Sequence, residues 1–256
     1  MRYRMELSYS GADFCGWQIQ PDAPSVQGAL EGALGTLLRV PTGVTGAGRT
    51  DTGVNAVGYV AHFDAEEGVD CGQLCYRLNA LLPRSVAVHS VSPAPDDFHA
   101  RFGATRREYT YYLHRTKDPF VASYSYLCGY PQLDFAAMNE AAGALLGTHD
   151  FSCFEKTGAD NRTSTCTVFE AGWHSYVPSG MPSGCRETRE GDYWYFRIAA
   201  DRFLRNMVRA ITGTLLEVGR GKRSAASVAE LIASGTRSDA GESVPGHALF
   251  LTGIEY

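Results

Sequence analysis

Long apolar runs are missing from this 256-residue chain. Its most apolar stretches, residues 57–63 and 215–218, fall far short of the roughly 18 apolar residues that a membrane span needs. The start, Met1-Arg2-Tyr3-Arg4-Met5-Glu6, holds no apolar core of a secretory signal, so a cytoplasmic protein with no membrane partner is expected. Cysteines at metal or redox spacing are missing too. The seven (Cys15, Cys71, Cys75, Cys128, Cys153, Cys166, Cys185) are scattered, with no Cys-x-x-Cys and a single Cys-x-x-x-Cys. That distribution argues against a disulfide framework or a zinc ribbon. Cys71 and Cys75, one helical turn apart beside Leu74 and Leu78, read as buried small hydrophobes. The histidines are dispersed, and no bound metal is expected. Low-complexity sequence is absent as well.

What is present is an ordinary globular composition, 44% hydrophobic and 20% charged. A chain of this length buries roughly 70–75% of its unfolded surface, enough for one large domain or two small ones without staples. The net charge of -5 is unevenly spread. Residues 1–105 hold 7 Lys+Arg against 11 Asp+Glu, whereas residues 197–223 hold 7 against 2. The cations of that second segment are almost all Arg, whose planar fork matches phosphate oxygens. A solvated helix face is the plainer reading of the same charges.

Alternation of Tyr3, Met5, Leu7 and Tyr9 with polar neighbours predicts a strand with one buried face. Ser25 then caps a helix whose stripe is Val26, Leu30, Ala33, Leu34 and Leu37. A Gly-rich loop at 46–53, a strand at 57–63, an Asp70-capped helix (Leu74, Leu78, Leu81) stopped by Pro83, and a strand at 85–91 complete a β-α-β-α-β order. Beyond it we expect a strand at 108–114 with Tyr109, Tyr111 and Leu113 on one face. An Asp134-capped helix (Phe135, Met138, Ala142, Leu145) then runs to Gly147. Strands at 165–176 and 192–200 flank a long polar hairpin loop at 178–191. Helices at 201–218 and 225–233 and a last strand at 248–256 finish the chain. The fold class is α+β: two split β-α-β (ferredoxin/RRM-like) subdomains, residues 1–105 and 106–256, forming a largely antiparallel sheet with helices on one face and a basic cleft on the other.

The densest candidate site is Gly46-Ala47-Gly48-Arg49-Thr50-Asp51-Thr52-Gly53-Val54-Asn55-Ala56, one Arg and one carboxylate between glycines that allow close approach of a ligand. It lacks the lysine of a phosphate-binding P-loop, and no Gly-x-Gly-x-x-Gly occurs. Asp51-Thr52-Gly53 matches the tripeptide of aspartic proteases, which need two such aspartates, so a protease would have to dimerise. It equally fits a plain turn in which Asp51 bonds its own backbone. On the expected helix from Asp201, Arg202, Arg205 and Arg209 share one face and could track a phosphate backbone, with Leu204, Val208, Ile211 and Leu215 buried. Tyr109-Thr110-Tyr111-Tyr112, preceded by Arg101, Arg106 and Arg107, offers stacking surfaces for unstacked bases.

Four ordered segments resemble one known family. They are Gly48-Arg49-Thr50-Asp51-Thr52-Gly53-Val54, Asp97-Phe98-His99-Ala100-Arg101-Phe102, Arg107-Glu108-Tyr109-Thr110-Tyr111 and Phe203-Leu204-Arg205-Asn206-Met207-Val208-Arg209. Together with Tyr9-Ser10-Gly11, Gly16-Trp17-Gln18, Asp150-Phe151 and Phe154 they are similar to the TruA family of tRNA pseudouridine synthases. The resemblance implies a homodimeric enzyme that isomerises uridine to pseudouridine at positions 38–40 of the tRNA anticodon stem-loop, with neither cofactor nor metal. It implies Asp51 as the catalytic aspartate, Arg205 as its ion-pair partner, and Tyr109 as a stacking platform that could also assist proton removal from C5. Arg49 would fill the space left by the flipped nucleotide or hold its phosphate, and Arg101, Arg202 and Arg209 would bind RNA. Attack at C1′, attack at C6 and removal of a ribose proton all require an ionised carboxylate and stay open. The family usually has His where this chain has Asn55, which leaves a non-catalytic RNA-binding module of the same fold as the alternative. With a net charge of -5, tRNA affinity must come from local cations and fall steeply with salt.

Overall fold

A computed structural model describes residues 1–158, 163–178 and 191–256. The chain forms two compact units: Met1–Arg107 with Phe250–Tyr256, and Glu108–Leu249. The last strand thus returns to the first unit, whereas a division at residue 105 would leave it with the second.

In the first unit, β1 (Arg2–Tyr9) alternates as its sequence predicts, with Tyr3, Met5, Leu7 and Tyr9 buried. The helix α1 (Val26–Leu38) is capped by Ser25, whose side chain accepts from the Gly28 N–H. β2 (Thr45–Gly46), β3 (Asn55–Asp64), α2 (Cys71–Leu81) and β4 (Val86–Pro93) follow. β1 pairs antiparallel with both β3 and β4, and β2 pairs antiparallel with β3. The resulting order β4-β1-β3-β2 is the split β-α-β arrangement. The final strand, β10 (Leu249–Glu255), joins β3 in parallel, Phe250 opposite Asn55.

Asp70 caps α2 through the Gln73 N–H, and Leu74 and Leu78 are buried. Two expectations for this helix fail. Leu81, its last residue, is 51% exposed, and Leu82 is buried instead. Cys71 and Cys75 are only half-buried, their thiols aimed at the carbonyls of Val69 and Val88.

The second unit contains β5 (Arg106–His114) from Glu108 on, β6 (Tyr126–Leu127), α3 (Phe135–Gly143), β7 (Gly147–Asp150), β8 (Thr165–Ser175), β9 (Tyr193–Ala200), α4 (Met207–Gly219) and α5 (Ser227–Ser234). Its strands run β5-β9-β8-β7, so β9 splits the pair β5 and β8 as β1 does in the first unit. Apart from its end residues, the expected hairpin loop at 178–191 lies outside the described residues. Asp134 caps α3 through the Ala137 N–H. That helix ends at Gly143 rather than near Gly147, whose φ of +97° begins β7.

The helix expected from Asp201 begins six residues later, at Met207. Asn206 sits in the left-handed region at φ +68°, which interrupts helical continuation. Asp201 accepts from the N–H groups of Thr167 and Arg202, fixing the exit of β9 instead of capping a helix. Arg202, Arg205 and Arg209 therefore do not form a helical row. The first two lie in the irregular 201–206 connection, and only Arg209 is helical. Almost all of α4 is buried, making it the core element of its unit. Among the described residues no helix is long and apolar enough to cross a membrane.

Candidate active site

The loop between β2 and β3 owes its shape to Gly53. The Val54 N–H donates to the Asp51 carbonyl at 3.1 Å, closing a turn whose third residue, Gly53, has φ +76°. A residue with a Cβ is strained there. Asp51 is half-exposed at the start of this turn, between buried Thr50 and exposed Thr52.

Gly48, Thr50 and Gly53 of the loop are braced by the rest of the unit. The Thr50 hydroxyl meets that of Tyr9 at 2.8 Å in a buried contact, and the Thr50 carbonyl accepts from the Trp17 N–H at 3.2 Å. Gly53 N–H donates to the Phe14 carbonyl at 3.4 Å. The Tyr59 hydroxyl donates to the Gly48 carbonyl, and its ring stacks on Trp17 at 4.2 Å. Gly11 and Gly16 let neighbouring backbone close in on the loop. A Cβ on Gly11 would lie 2.3 Å from the Val54 oxygen, and one on Gly16 would lie 2.4 Å from the Thr50 oxygen. Each buried hydrogen bond contributes about 1 kcal/mol, so the frame fixes the backbone under Asp51 severalfold over.

Asn55 is buried, and its Oδ1 accepts from the Gly11 N–H at 2.9 Å. The position is thus filled by an acceptor for a buried donor that would otherwise cost about 1–3 kcal/mol. Arg49 is exposed, its Nε donating to Gln18 Oε1 at 3.3 Å.

A second loop of the same unit carries Arg101. Gly103 N–H donates to the His99 carbonyl at 2.8 Å, and His99 Nδ1 accepts from the N–H groups of Arg101 and Phe102 at 3.2 Å each. Arg107 ties this turn to the Asp51 loop, since its guanidinium donates to the carbonyls of Ala104 and Arg101 and, at 3.2 Å, to that of Ala47. Beneath the turn, buried His62 accepts from the Ala100 N–H at 3.1 Å and meets the His99 ring edge-on at 4.9 Å.

Burial, with Arg2 and His99 nearby, lowers the His62 pKa to about 4 against the opposing pull of Asp64. His62 is therefore neutral in the fold, whereas the unfolded chain takes up its proton near 6.5. Its contribution to stability is complete above pH 6.5 and is lost as pH falls toward 4, at up to about 1.4 kcal/mol per pH unit. Denaturant melts at pH 7.5 and pH 5 should show a smaller drop for His62→Asn, which keeps an acceptor without titrating, than for the parent.

In the second unit, Tyr109 is buried on β5, its ring edge-on to Phe203 at 5.1 Å and 88°. Arg205 is exposed, and its carbonyl accepts from the Lys156 N–H at 3.0 Å. Arg202 is half-buried beside Asp201. Arg209 directs its Nε to the Val244 carbonyl at 2.7 Å and accepts the Val244 N–H in return, so it anchors α4 to the 241–244 segment.

A family profile described as tRNA pseudouridine synthase matches residues 141–256. A tRNA pseudouridine synthase A of Parabacteroides distasonis is 48% identical across the whole of this chain and 96% of its own. That of Bacteroides fragilis is also 48% identical with the same coverage. That of Chlorobaculum tepidum is 37% identical over 99% of this chain and 97% of its own. The chain belongs to the tRNA pseudouridine synthase family. These are isomerases acting on tRNA. In this family member the sequence reading picked out the Asp51 loop but missed much of what supports it: the Tyr9, Tyr59 and Arg107 contacts and the His62–His99 pair. The Tyr9–Thr50, Arg107–Ala47 and His62–His99 contacts join residues distant in sequence. The local signal was that Tyr9, Gly11, Gly16, Trp17, His99 and Arg107 sit in segments that carry the family resemblance.

Proposed function

We propose that this enzyme converts uridine to pseudouridine at positions 38–40 of the tRNA anticodon stem-loop, with Asp51 as the catalytic carboxylate. The observation that carries the reading is the placement of a half-exposed Asp51 on a turn whose backbone is fixed by buried contacts. Such a support keeps a reacting group in place without reorganisation during the reaction.

The reaction breaks the bond from C1′ to N1, turns the uracil, and forms a bond from C1′ to C5. The C5 proton is lost and N1 gains one, so no cofactor is needed. Asp51 supplies the negative charge that all three candidate routes require. The target nucleotide must first leave its stack, at a cost of a few kcal/mol. Tyr109, Arg49 and Arg205 are assigned to substrate binding, and Arg101, Arg202 and Arg209 to the RNA. Arg209 also donates from its Nε to the Val244 carbonyl, which fixes the base of that side chain against its own unit. A homodimer working in the cytoplasm completes the reading.

Incubation with unmodified tRNA transcripts, followed by carbodiimide mapping, tests it. Stable adducts at one or more of positions 38, 39 and 40 are the expected result. Bound tRNA without adducts would instead identify an RNA-binding module.

A further inference from the structure

We propose that Phe102 is a stacking platform for an unpaired base of the RNA substrate, with Arg101 beside it for the adjoining phosphate. Phe102 is 77% exposed, although a phenyl ring is normally buried. It is not loosely held. Its own N–H and that of Arg101 are fixed by His99 Nδ1, and its ring rests on the His99 ring at 4.4 Å. Beneath His99 lies His62, and the Ala100 carbonyl accepts from the Tyr256 hydroxyl at 2.8 Å. One face of Phe102 is thus supported by protein, and the residue remains open to solvent.

The chemistry of the rim selects the occupant. The Arg101 guanidinium lies over the Phe102 ring, 5.4 Å from its centre, so the aromatic surface carries a cation with it. A flat apolar surface with an adjacent cation fits a base and its phosphate, the combination used for single-stranded RNA. Arg107 supplies the link to the chemistry, because one guanidinium holds both the Arg101 carbonyl and the Ala47 carbonyl at the root of the Asp51 loop. Strand bound at Phe102 is therefore held by the same framework that carries Asp51. The inference rests on the proposed action on tRNA, and it adds a contact outside the nucleotide being isomerised.

Fluorescence anisotropy with a labelled, unmodified tRNA transcript tests it, using Phe102→Ala, Phe102→Leu and Phe102→Trp in the full chain. Loss of one stacked base should weaken binding roughly 5- to 150-fold in the Ala variant. The Leu variant, apolar but without a π-face, should be weakened as well, and the Trp variant should match or exceed the parent. The slope of log Kd against log salt should stay at the parental value in all three, whereas Arg101→Ala should lower it by about one. Thermal melts of each variant confirm that the fold is retained. Parental affinity in the Ala or Leu variant, or altered sedimentation with unaltered RNA affinity, overturns the platform and points to a protein contact instead. An active parent with indifferent Phe102 variants removes this proposal alone. A parent that binds tRNA through Phe102 yet makes no pseudouridine keeps the platform and removes the proposed reaction.

Discussion

Asp51→Asn is expected to abolish pseudouridine formation while tRNA binding persists. Asparagine has nearly the same shape, so the turn closed by the Asp51 carbonyl and the Val54 N–H remains. What disappears is the negative charge, and with it the ability to attack carbon, to balance a developing cation at C1′, or to take a ribose proton. Removal of an acid–base group costs roughly 10²- to 10⁴-fold, and removal of a nucleophile more. Single-turnover conversion at saturating tRNA should therefore fall by at least about 10²-fold. A rate within tenfold of the parent would place the chemistry on another residue. Equal loss of binding and turnover would instead make Asp51 an RNA contact.

The second large effect is expected at a residue that contributes no side chain. Gly11→Ala would put a Cβ 2.3 Å from the Val54 oxygen and 2.6 Å from the Gly53 carbon, both backbone atoms of the Asp51 turn. Because backbone cannot swing aside as a long side chain can, either the turn or the 10–14 segment must move. Overpacking of this kind costs about 1–3 kcal/mol, equivalent to a Tm lowered by roughly 2–12 °C in a chain of this size. Displacement of the loop by even about 1 Å should reduce kcat around 10²-fold. A scanning melt and a steady-state assay check the pair. Unchanged kcat in the alanine variant would show that the loop tolerates displacement.

Most of the local architecture was legible in the residues. The two-residue period of Tyr3 to Tyr9 read correctly as β1, and Ser25, Asp70 and Asp134 each cap the helix they precede. Errors arose where a local pattern met a backbone decision that leaves no compositional mark. The spacing of Arg202, Arg205 and Arg209 imitates a helical face, but Asn206 in the left-handed region delays the helix to Met207. β7, with the sequence Gly-Thr-His-Asp, has no apolar alternation to announce it and exists because β8 lies beside it. At the site the loop itself was readable from its glycines and lone carboxylate. Its supports were not, because the Tyr9 to Thr50 and Asn55 to Gly11 bonds depend on tertiary proximity that no short-range spacing encodes.

The pairing of β10 with β3 sets Phe250 and Leu251 beside Asn55 and Ala56, at the foot of the Asp51 turn. A ribosome delivering roughly 5–20 residues per second releases most of the first unit many seconds before its closing strand emerges. Sequence-distant pairing of that kind slows assembly. A nascent chain that has not yet released β10 consequently carries the carboxylate in an unfinished sheet, and maturation of this centre waits for that strand.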